Sequence, residues 1–519
     1  MADQLALLPV YLTAHLQLTL VALLLGTAVS VPLGVWITRN PSLEPAVLGA
    51  ASVIQTIPSL ALLALMVPAL ALLGAFTAAT FGVEVRSIGY APAVTALCLY
   101  SILPILRNTV TGIAGVDSAL VEAAQGVGMT DRQQLFRVEL PLAMPVIVAG
   151  LRTSAVWVVG TATLSTPVGA TSLGNYIFSG LQTRNTAAVL VGCVAAAGLA
   201  ILLDQLIRVL ELGVRLGRRV LVVGSIAVLA ALYLFTALAF AAQQTTGSGR
   251  PLRIGSKTFT EQYVLSEIIA QRIARETGLR TQAVPSLGST VAFDALRSGD
   301  LDAYVDYSGT IWATIMKRET LPRSRNDVLD EVERFLLDEH DITVLGSLGF
   351  ENTYALGMQA AQARRLGIAR ISQLAAISPQ LEIGGDYEFF QRLEWASLVR
   401  TYGLDFRVER SMDSSLMYQA VASGDVDVIS AFSTDGRIAA FDISLLEDDR
   451  GVIPPYDAIL LVGRRVTREH PGVTAALNAL IGRIDAESMR RMNLAVDRDG
   501  RLPAEVARNF LDGLPGRGE

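Results

Sequence analysis

Hydroxyls, aromatic rings and carboxylates recur at matched places in the second half of the chain. The stretch GSTVAFDALRSGDLDAYVDYSGT at 288–310 aligns without gaps to DSSLMYQAVASGDVDVISAFSTD at 413–435. Ser289, Ala295, Ser298, Gly299, Asp300, Asp302 and Ser308 match Ser414, Ala420, Ser423, Gly424, Asp425, Asp427 and Ser433. In each copy a hydroxyl pair, Ser289-Thr290 or Ser414-Ser415, precedes an apolar helical pattern and reads as an N-cap. Free N–H groups and the helix dipole at such an end attract anions, carboxylates included. Tyr307 and Phe432 stand at equivalent positions after the Ser-Gly-Asp turn, with Tyr304 and Trp312 near; Tyr387, Phe389, Phe390 and Tyr456 lie in other loops of the same half. Rings around one cleft suit a quaternary ammonium, held by cation–π attraction of roughly 0.5–2 kcal/mol per ring. A carboxylate at a helix end and a cation among rings together describe a betaine. Phe293, Phe335 and Trp395 are expected in the core. Tyr304 alternates with buried positions, so cleft and core are both open to it.

The same segments offer carboxylates that a catalyst could use: Asp300, Asp302, Asp306, Asp425 and Asp427. Asp300 and Asp425 sit in a turn repeated in both copies, which reads as structure. No catalytic residue, metal site or cofactor is expected in the chain.

These residues need a frame. From residue 251 onward, strand-like apolar runs alternate with helical periodicity, the pattern of an α/β fold. LRIGSKTFTEQ at 252–262 loosely repeats as LEIGGDYEFFQ at 381–391. Two such units form a two-lobed domain over 251–519: lobe one 251–352 plus 456–519, lobe two 356–452. Crossings near 353–355 and 453–456 serve as hinges. QQTTGSGR, 243–250, is a polar linker.

The first half differs in kind. Residues 1–243 carry 11 Arg, no Lys and 9 Asp+Glu, about 8% charged and net +2; residues 244–519 carry 31 Lys+Arg and 39 Asp+Glu, about 25% charged and net −8. Ordinary soluble domains carry about 25% charge, so the first half belongs in a membrane. Six stretches, about 16–38, 51–74, 88–107, 143–164, 187–207 and 220–242, reach the roughly 20 apolar residues a bilayer needs. The last exceeds a signal-peptide core of about 7–15 residues and reads as an uncleaved anchor despite its ALAFAA end. One set of flanks holds Arg39, Arg107, Arg132, Arg137, Arg208, Arg215, Arg218 and Arg219; the other holds only Arg86 and Arg184. By the positive-inside rule the second half faces outward. Arg152 is expected to snorkel toward the cytoplasmic end of its helix, and Asp204 to pair with Arg208 one turn on. Gln55, Thr56 and Ser59 suit a path between helices or bonds to backbone carbonyls equally.

The acidic balance, with no basic block, excludes a nucleic-acid binder. Cys98 and Cys193 form no disulfide framework, and His15, His340 and His470 are too scattered for a metal cluster. No GxxxxGK[ST] occurs, so the chain carries no P-loop ATPase of its own.

The loop over 118–143 is informative. Glu122-Ala123-Ala124 with Gly126 and Gly128 is followed by Val138-Glu139-Leu140-Pro141. Small residues let another surface approach, Gly128 permits a turn, and Pro141 closes the polar stretch before the next span. This spacing resembles the EAA loop of ABC-transporter permeases, which implies docking of Glu122, Ala123, Ala124, Gly128 and Pro141 onto an ATPase subunit. SVIQTIPSLALLAL, LYSILPILRNT and SLGNYIFSGLQTRN resemble permeases of the glycine betaine/choline/carnitine uptake family over about 170 residues. IGSKTFTEQ, LGST, YVDYSGT, AFSTDGRI and LLEDDRGVIPPY resemble that family's binding proteins over 252–512.

The resemblance implies an all-α ABC type I importer permease with about six membrane helices (1–217, then an anchor and linker over 218–250), followed by a type II periplasmic binding protein. It implies a first cleft loop of Ser256, Lys257, Phe259 and Thr260, and an opposing one with Thr434 and Asp435. The remaining cleft positions are those reasoned from the residues: Ser289, Thr290, Tyr304, Tyr307, Tyr387, Phe389 and Phe432. It also implies a homodimer in a bacterial inner (plasma) membrane, two copies of a separate ATPase that hydrolyses the ATP, and a small quaternary amine as solute. LGST departs from the double-glycine form of many members, which leaves glycine betaine, choline, carnitine and ergothioneine open. STPVGATSLGNYIFSGLQ looks more like fused permease–receptor chains, importers of ergothioneine among them. A membrane-anchored sensor is the rival; the largest cytoplasmic loop, about 35 residues, gives it no output module. An importer of a non-betaine solute is the other alternative.

Overall fold

The structure is a computed structural model that describes residues 2–82, 86–183, 185–245, 250–318 and 324–514. Arg184 and residues 246–249 of the expected linker lie outside the described residues. The chain forms two compact units, Met1–Ile177 with Ala187–Gly249, and Phe178–Thr186 with Arg250–Glu519.

Among the described residues, six helices are long and apolar enough to cross a membrane: Leu5–Thr38, Ser59–Phe81, Tyr90–Ala114, Asp131–Val168, Thr186–Arg215 and Arg219–Ala239. Helices Ala2–Thr38, Tyr90–Ala114 and Leu140–Ala162 pack on one another through small residues. A Cβ on Gly26 would meet the Ser101 hydroxyl, and one on Gly34 the Thr109 side chain at 2.6 Å, so these helices approach backbone to side chain. The span expected over 51–74 begins instead at Ser59. Pro58 holds Ile57 extended (φ −68°, ψ 127°) and ends the preceding helix, Glu44–Thr56. Gln55 donates to the Tyr100 carbonyl at 3.2 Å and Thr56 to that of Val53 at 2.7 Å, so both serve the backbone. Asp204 does not wait for Arg208. It takes a two-point contact from Arg152, whose Nη1 also lies 3.6 Å from Glu211, and an ion pair replaces the expected snorkel.

The second unit holds two five-stranded sheets of one plan. Its strands are β1 Leu252–Lys257, β2 Thr281–Leu287, β3 Ala303–Tyr307, β4 Thr343–Glu351, β5 Tyr354–Gln359, β6 Glu382–Gly385, β7 Val408–Ser411, β8 Val428–Phe432, β9 Ile443–Leu445 and β10 Asp457–Val462. The orders are β2-β1-β3-β10-β4 and β7-β6-β8-β5-β9. In each sheet three strands run parallel and a fourth, from after a crossing, joins antiparallel: β10 beside β3 with Ala458 opposite Tyr307, and β5 beside β8 with Tyr354 opposite Phe432. β3 and β10 are buried throughout, as strands covered on both faces must be.

The repeated Ser-Gly-Asp turns do the same work in both lobes. Gly299 and Gly424 adopt φ of +78° and +83°, open to a residue without Cβ. Two residues past each Gly-Asp step an aspartate caps the neighbouring strand: Asp302 accepts from the Arg253 N–H at 2.7 Å, Asp427 from that of Glu382 at 2.9 Å. The repeated carboxylates are therefore structural. The two crossings touch where the Asn352 N–H donates to the Tyr456 carbonyl at 3.0 Å.

Candidate functional site: the inter-lobe cleft and the coupling loop

A cleft of about 790 Å³, mouth included, opens between the lobes at the carboxyl ends of the parallel strands. The end of β1 supplies Lys257, Thr258 and Phe259; the turn after β2 supplies Gly288 and Ser289; the end of β3 supplies Tyr307 and Thr310. From lobe two, the loop after β6 brings Asp386, Tyr387, Glu388 and Arg392, the turn after β7 brings Asp413 and Ser414, and β8 ends at Phe432. Asn352, Tyr354 and Tyr456 line it from the crossings.

The rings form a ladder across both lobes. Phe259 stacks between Tyr307 (6.1 Å, 28°) and Phe432 (5.8 Å, 6°), and Phe432 lies 5.1 Å from Tyr354, which meets Tyr456 edge-on at 5.9 Å. The Lys257 ammonium lies 5.4 Å from the Tyr307 ring centre and is paired with Asp306.

The charges are partly uncompensated. Arg392 pairs with Glu388 at 2.7 Å, with Glu394 at 3.7 Å, and donates to the Tyr456 hydroxyl at 3.4 Å, yet its buried Nε–H has no partner among the described residues. Burial acts against its charge, but Tyr354, Tyr456, Glu388 and Glu394 outweigh that and hold it protonated. Asp386 accepts at one oxygen from the N–H groups of Glu388 (2.8 Å) and Phe389 (3.1 Å); its buried Oδ2 has no partner among the described residues. Burial pushes this carboxyl above the usual range, against those N–H bonds and Arg392. Burial also acts to raise Glu388, but Arg392 and Lys257 bring it below its ordinary value.

The two helix ends differ. Ser414 is not the cap: Asp413 is, accepting from the Ser415 N–H at 2.9 Å, so a carboxylate already fills that end. In lobe one the aligned residue, Gly288, takes the N-cap place with no side-chain cap, and Ser289 opens the helix. That end has no side-chain cap of its own, and the Glu388 carboxylate of lobe two reaches Ser289 there.

In the coupling loop, helix Ser118–Gly126 is capped by Asp117, which accepts from the Ala119 N–H at 2.9 Å. Glu122 and Ala123 are exposed and Ala124 is buried. Gly128 adopts φ +80°, and Thr130 then caps the next helical run with Gln133 as its reciprocal partner. Pro141 does not separate that run from the span. The helix continues from Asp131 through a π turn at Leu135–Glu139 into Leu140–Ala162, and the widened turn accommodates the proline's missing N–H.

Comparison with known proteins agrees on both halves. Residues 250–513 match the family model described as the substrate binding domain of the ABC-type glycine betaine transport system, and residues 30–216 that of the binding-protein-dependent transport system inner membrane component. The ergothioneine transport permease/ergothioneine binding protein EgtU of Helicobacter pylori (strain G27) is 30% identical over 494 residues, 93% of this chain and 86% of that protein. This chain belongs to the ABC-type glycine betaine transport family. Within that family it is a permease fused to its binding domain, and it serves an ABC uptake system. The permease OpuCB of the Bacillus subtilis (strain 168) glycine betaine/carnitine/choline system is 44% identical over 197 residues, 38% of this chain and 83% of its own. A solved glycine betaine/carnitine/choline ABC transporter structure is 31% identical, covering 50% of this chain and 97% of its own, with a TM-score of 0.45.

Of the residues read from sequence in this family member, Lys257, Phe259, Ser289, Tyr307, Tyr387 and Phe432 line the cleft. Thr290 lies beside it on a neighbouring groove with Tyr387. Ser256 is wholly buried in β1. Thr260 donates to Asp497 at 2.6 Å. Tyr304 is fully buried, its hydroxyl donating at 2.6 Å to Asp306, two residues on and so on the same face of β3. Phe389 packs against Tyr354 and Trp395, both at 5.2 Å, in the core beneath the cleft. Asp435 spends its carboxylate on buried Arg437, and Thr434 donates to Glu261. Phe293 and Trp395 are buried as expected. Sequence reading missed Glu261, Tyr354, Asp386, Glu388 and Arg392. A buried acidic residue inside TFTEQYVL, on a helix face otherwise committed to the core, was the one local signal available for Glu261.

Proposed function

We propose that the chain imports a betaine, a solute with a quaternary ammonium at one end and a carboxylate at the other. One observation carries this reading. The cleft places an unpartnered buried guanidinium N–H (Arg392) and an unpartnered buried carboxylate oxygen (Asp386) beside a ladder of rings. An unmet buried polar group costs about 1–3 kcal/mol, more when charged, so the cleft suits a ligand of both signs. The ammonium sits among Phe259, Tyr307 and Phe432 near Asp386; the carboxylate sits by Arg392 and the helix end at Gly288-Ser289. Ergothioneine, itself a betaine, is the first solute to try, since the H. pylori relative that shares the fused layout is named for it.

The arginine-rich flanks support a cytoplasmic coupling loop and an outward-facing receptor in a plasma membrane. Exposed Leu120, Val127 and Phe136 around the loop suit docking of an ATPase subunit. Two copies of that subunit would serve a homodimer of this chain and supply the ATP hydrolysis; the chain itself does no covalent chemistry and needs no cofactor. Titration of the full chain in nanodiscs with ergothioneine, glycine betaine, carnitine, choline and proline tests the reading. Binding of carboxylate-bearing betaines ahead of choline and proline is expected. Proline binding as tightly as every betaine would end it.

A further inference from the structure

Behind the aromatic ladder lies a carboxylate from the IGSKTFTEQ segment that was not among the site residues read from sequence. Glu261, on helix Thr260–Thr277 of lobe one, is 2% exposed and accepts from four side chains of four separate segments. Tyr307, the cleft ring of lobe one, donates its hydroxyl at 2.5 Å; Asn352, at the crossing, donates at 3.0 Å; Thr434, in the lobe-two loop after β8, at 2.5 Å; Asn493, in helix Ala486–Asp497, at 3.2 Å. Two further bonds tighten the cluster: Gln262 donates to the Tyr307 hydroxyl at 3.1 Å, and Asn493 to the Thr434 carbonyl at 2.8 Å. One carboxylate thus fixes the ring that faces the solute, the hinge strand and the opposing lobe at once.

We propose that Glu261 is a positioning residue that couples the Tyr307 ring to lobe closure, so that the solute-facing rings of both lobes are in register only when the lobes are shut. The proposal rests on the cleft being the solute site. A hydrogen bond between lobes must break when they separate, as lobes closing about hinge crossings do. The Thr434–Glu261 bond is therefore a closed-state contact, whereas the Tyr307 bond lies within lobe one and persists. Loss of a closed-state contact speeds release and spares encounter.

The test uses the full chain in nanodiscs, with Glu261→Gln and Thr434→Val. Glutamine keeps the shape but turns an amide N–H₂ toward two of the four donors. Valine removes only the inter-lobe donor. Both variants are expected to release ergothioneine or glycine betaine faster by about tenfold, with association within about twofold. The double variant should show much less than the product of the two effects. A second readout needs no solute: spin-label distances between Glu333→Cys in lobe one and Arg365→Cys in lobe two, with Cys98 and Cys193 replaced by Ser. Both variants should shift unliganded lobes toward longer separations. If wild-type binds no betaine, the function reading falls while these distances still judge Glu261. If wild-type binds, and both variants keep its release rate and lobe distances while only melting earlier, Glu261 is a stabilising core group and the proposal is overturned.

Discussion

The Arg392 guanidinium lies 5.1 Å from the centre of the Tyr354 ring, so the protein's own cation already covers one rung of the aromatic ladder. Guanidinium over a ring is a stable arrangement, and ion pairs with Glu388 and Glu394 help to fix it there. A solute cation therefore uses the remaining rings, and Arg392 is left to meet an anion.

That assignment makes Arg392 selective for the solute's carboxylate. Arg392→Gln removes the charge but keeps a donor. Affinity for glycine betaine or ergothioneine is expected to fall at least about a hundredfold, the scale of a lost charge-assisted bond. Choline, which has no carboxylate, should change by no more than about threefold. Because Glu394 loses a partner, the melting temperature will also drop. The ratio between solutes is the measurement that counts, and equal losses for choline and betaine would remove Arg392 from carboxylate recognition.

The rings should act individually and modestly. Phe432→Leu and Tyr307→Phe keep the packing volume of their sites. The leucine loses cation–π attraction and should weaken binding about 2–30-fold, equivalent to roughly 0.5–2 kcal/mol. The phenylalanine keeps the ring but loses the hydroxyl on Glu261, so its effect should appear in dissociation alone. Calorimetry for the first and stopped-flow for the second check this. A faster association in Tyr307→Phe would contradict the role given to that hydroxyl.

Much of this frame was legible in sequence, because a duplicated unit shows itself by self-alignment and a membrane half by its lack of charge. The repeat placed Tyr307 and Phe432 on facing loops, and both line the cleft. Where reading ran on alternation or local caps it slipped. Tyr304 and Tyr307 share β3 but not an environment, and the cap in lobe two is Asp413, one residue before the serines. Lys257 apart, the charged residues that shape the cleft were not legible. Asp386 and Arg392 take their meaning from which of their atoms lack partners, and Glu261 from four donors as far away as Asn493. Such contacts depend on tertiary geometry and leave no periodic trace.

Asp386 predicts a pH dependence of binding with a definite sign. Burial lifts its carboxyl, opposed by the Glu388 N–H, Arg392 and the Tyr354 hydroxyl and aided by the Glu388 charge. A bound quaternary cation favours the ionised form, so the bound value is lower than the free one. Below the free value, binding then expels a proton, and affinity rises with pH until that value is passed. Glu388, by contrast, is held below its ordinary value, chiefly by Arg392 against the effect of burial. Asp386→Asn should flatten the profile and weaken binding by on the order of tenfold, as for a one-unit shift. A slope that survives this substitution would assign it to another group.

Gly128 predicts a variant that binds but does not transport. Its φ of +80° places any other residue in the left-handed region, at about 1–2 kcal/mol. No atom lies within 4 Å of a Cβ built there, so the strain is in the backbone alone. Gly128→Val adds β-branching and should lower the population of the native loop by about 5–30-fold. Solute affinity at the receptor should stay within about twofold, because the loop lies outside the receptor unit. Solute-stimulated ATP hydrolysis, measured with the partner ATPase in proteoliposomes, should fall by about tenfold or more. Gly126→Ala, in a helix with open space around the added methyl, serves as the matched control and should remain active. Equal loss in both variants would mean that the loop needs small residues for contact with the ATPase rather than the turn for its shape.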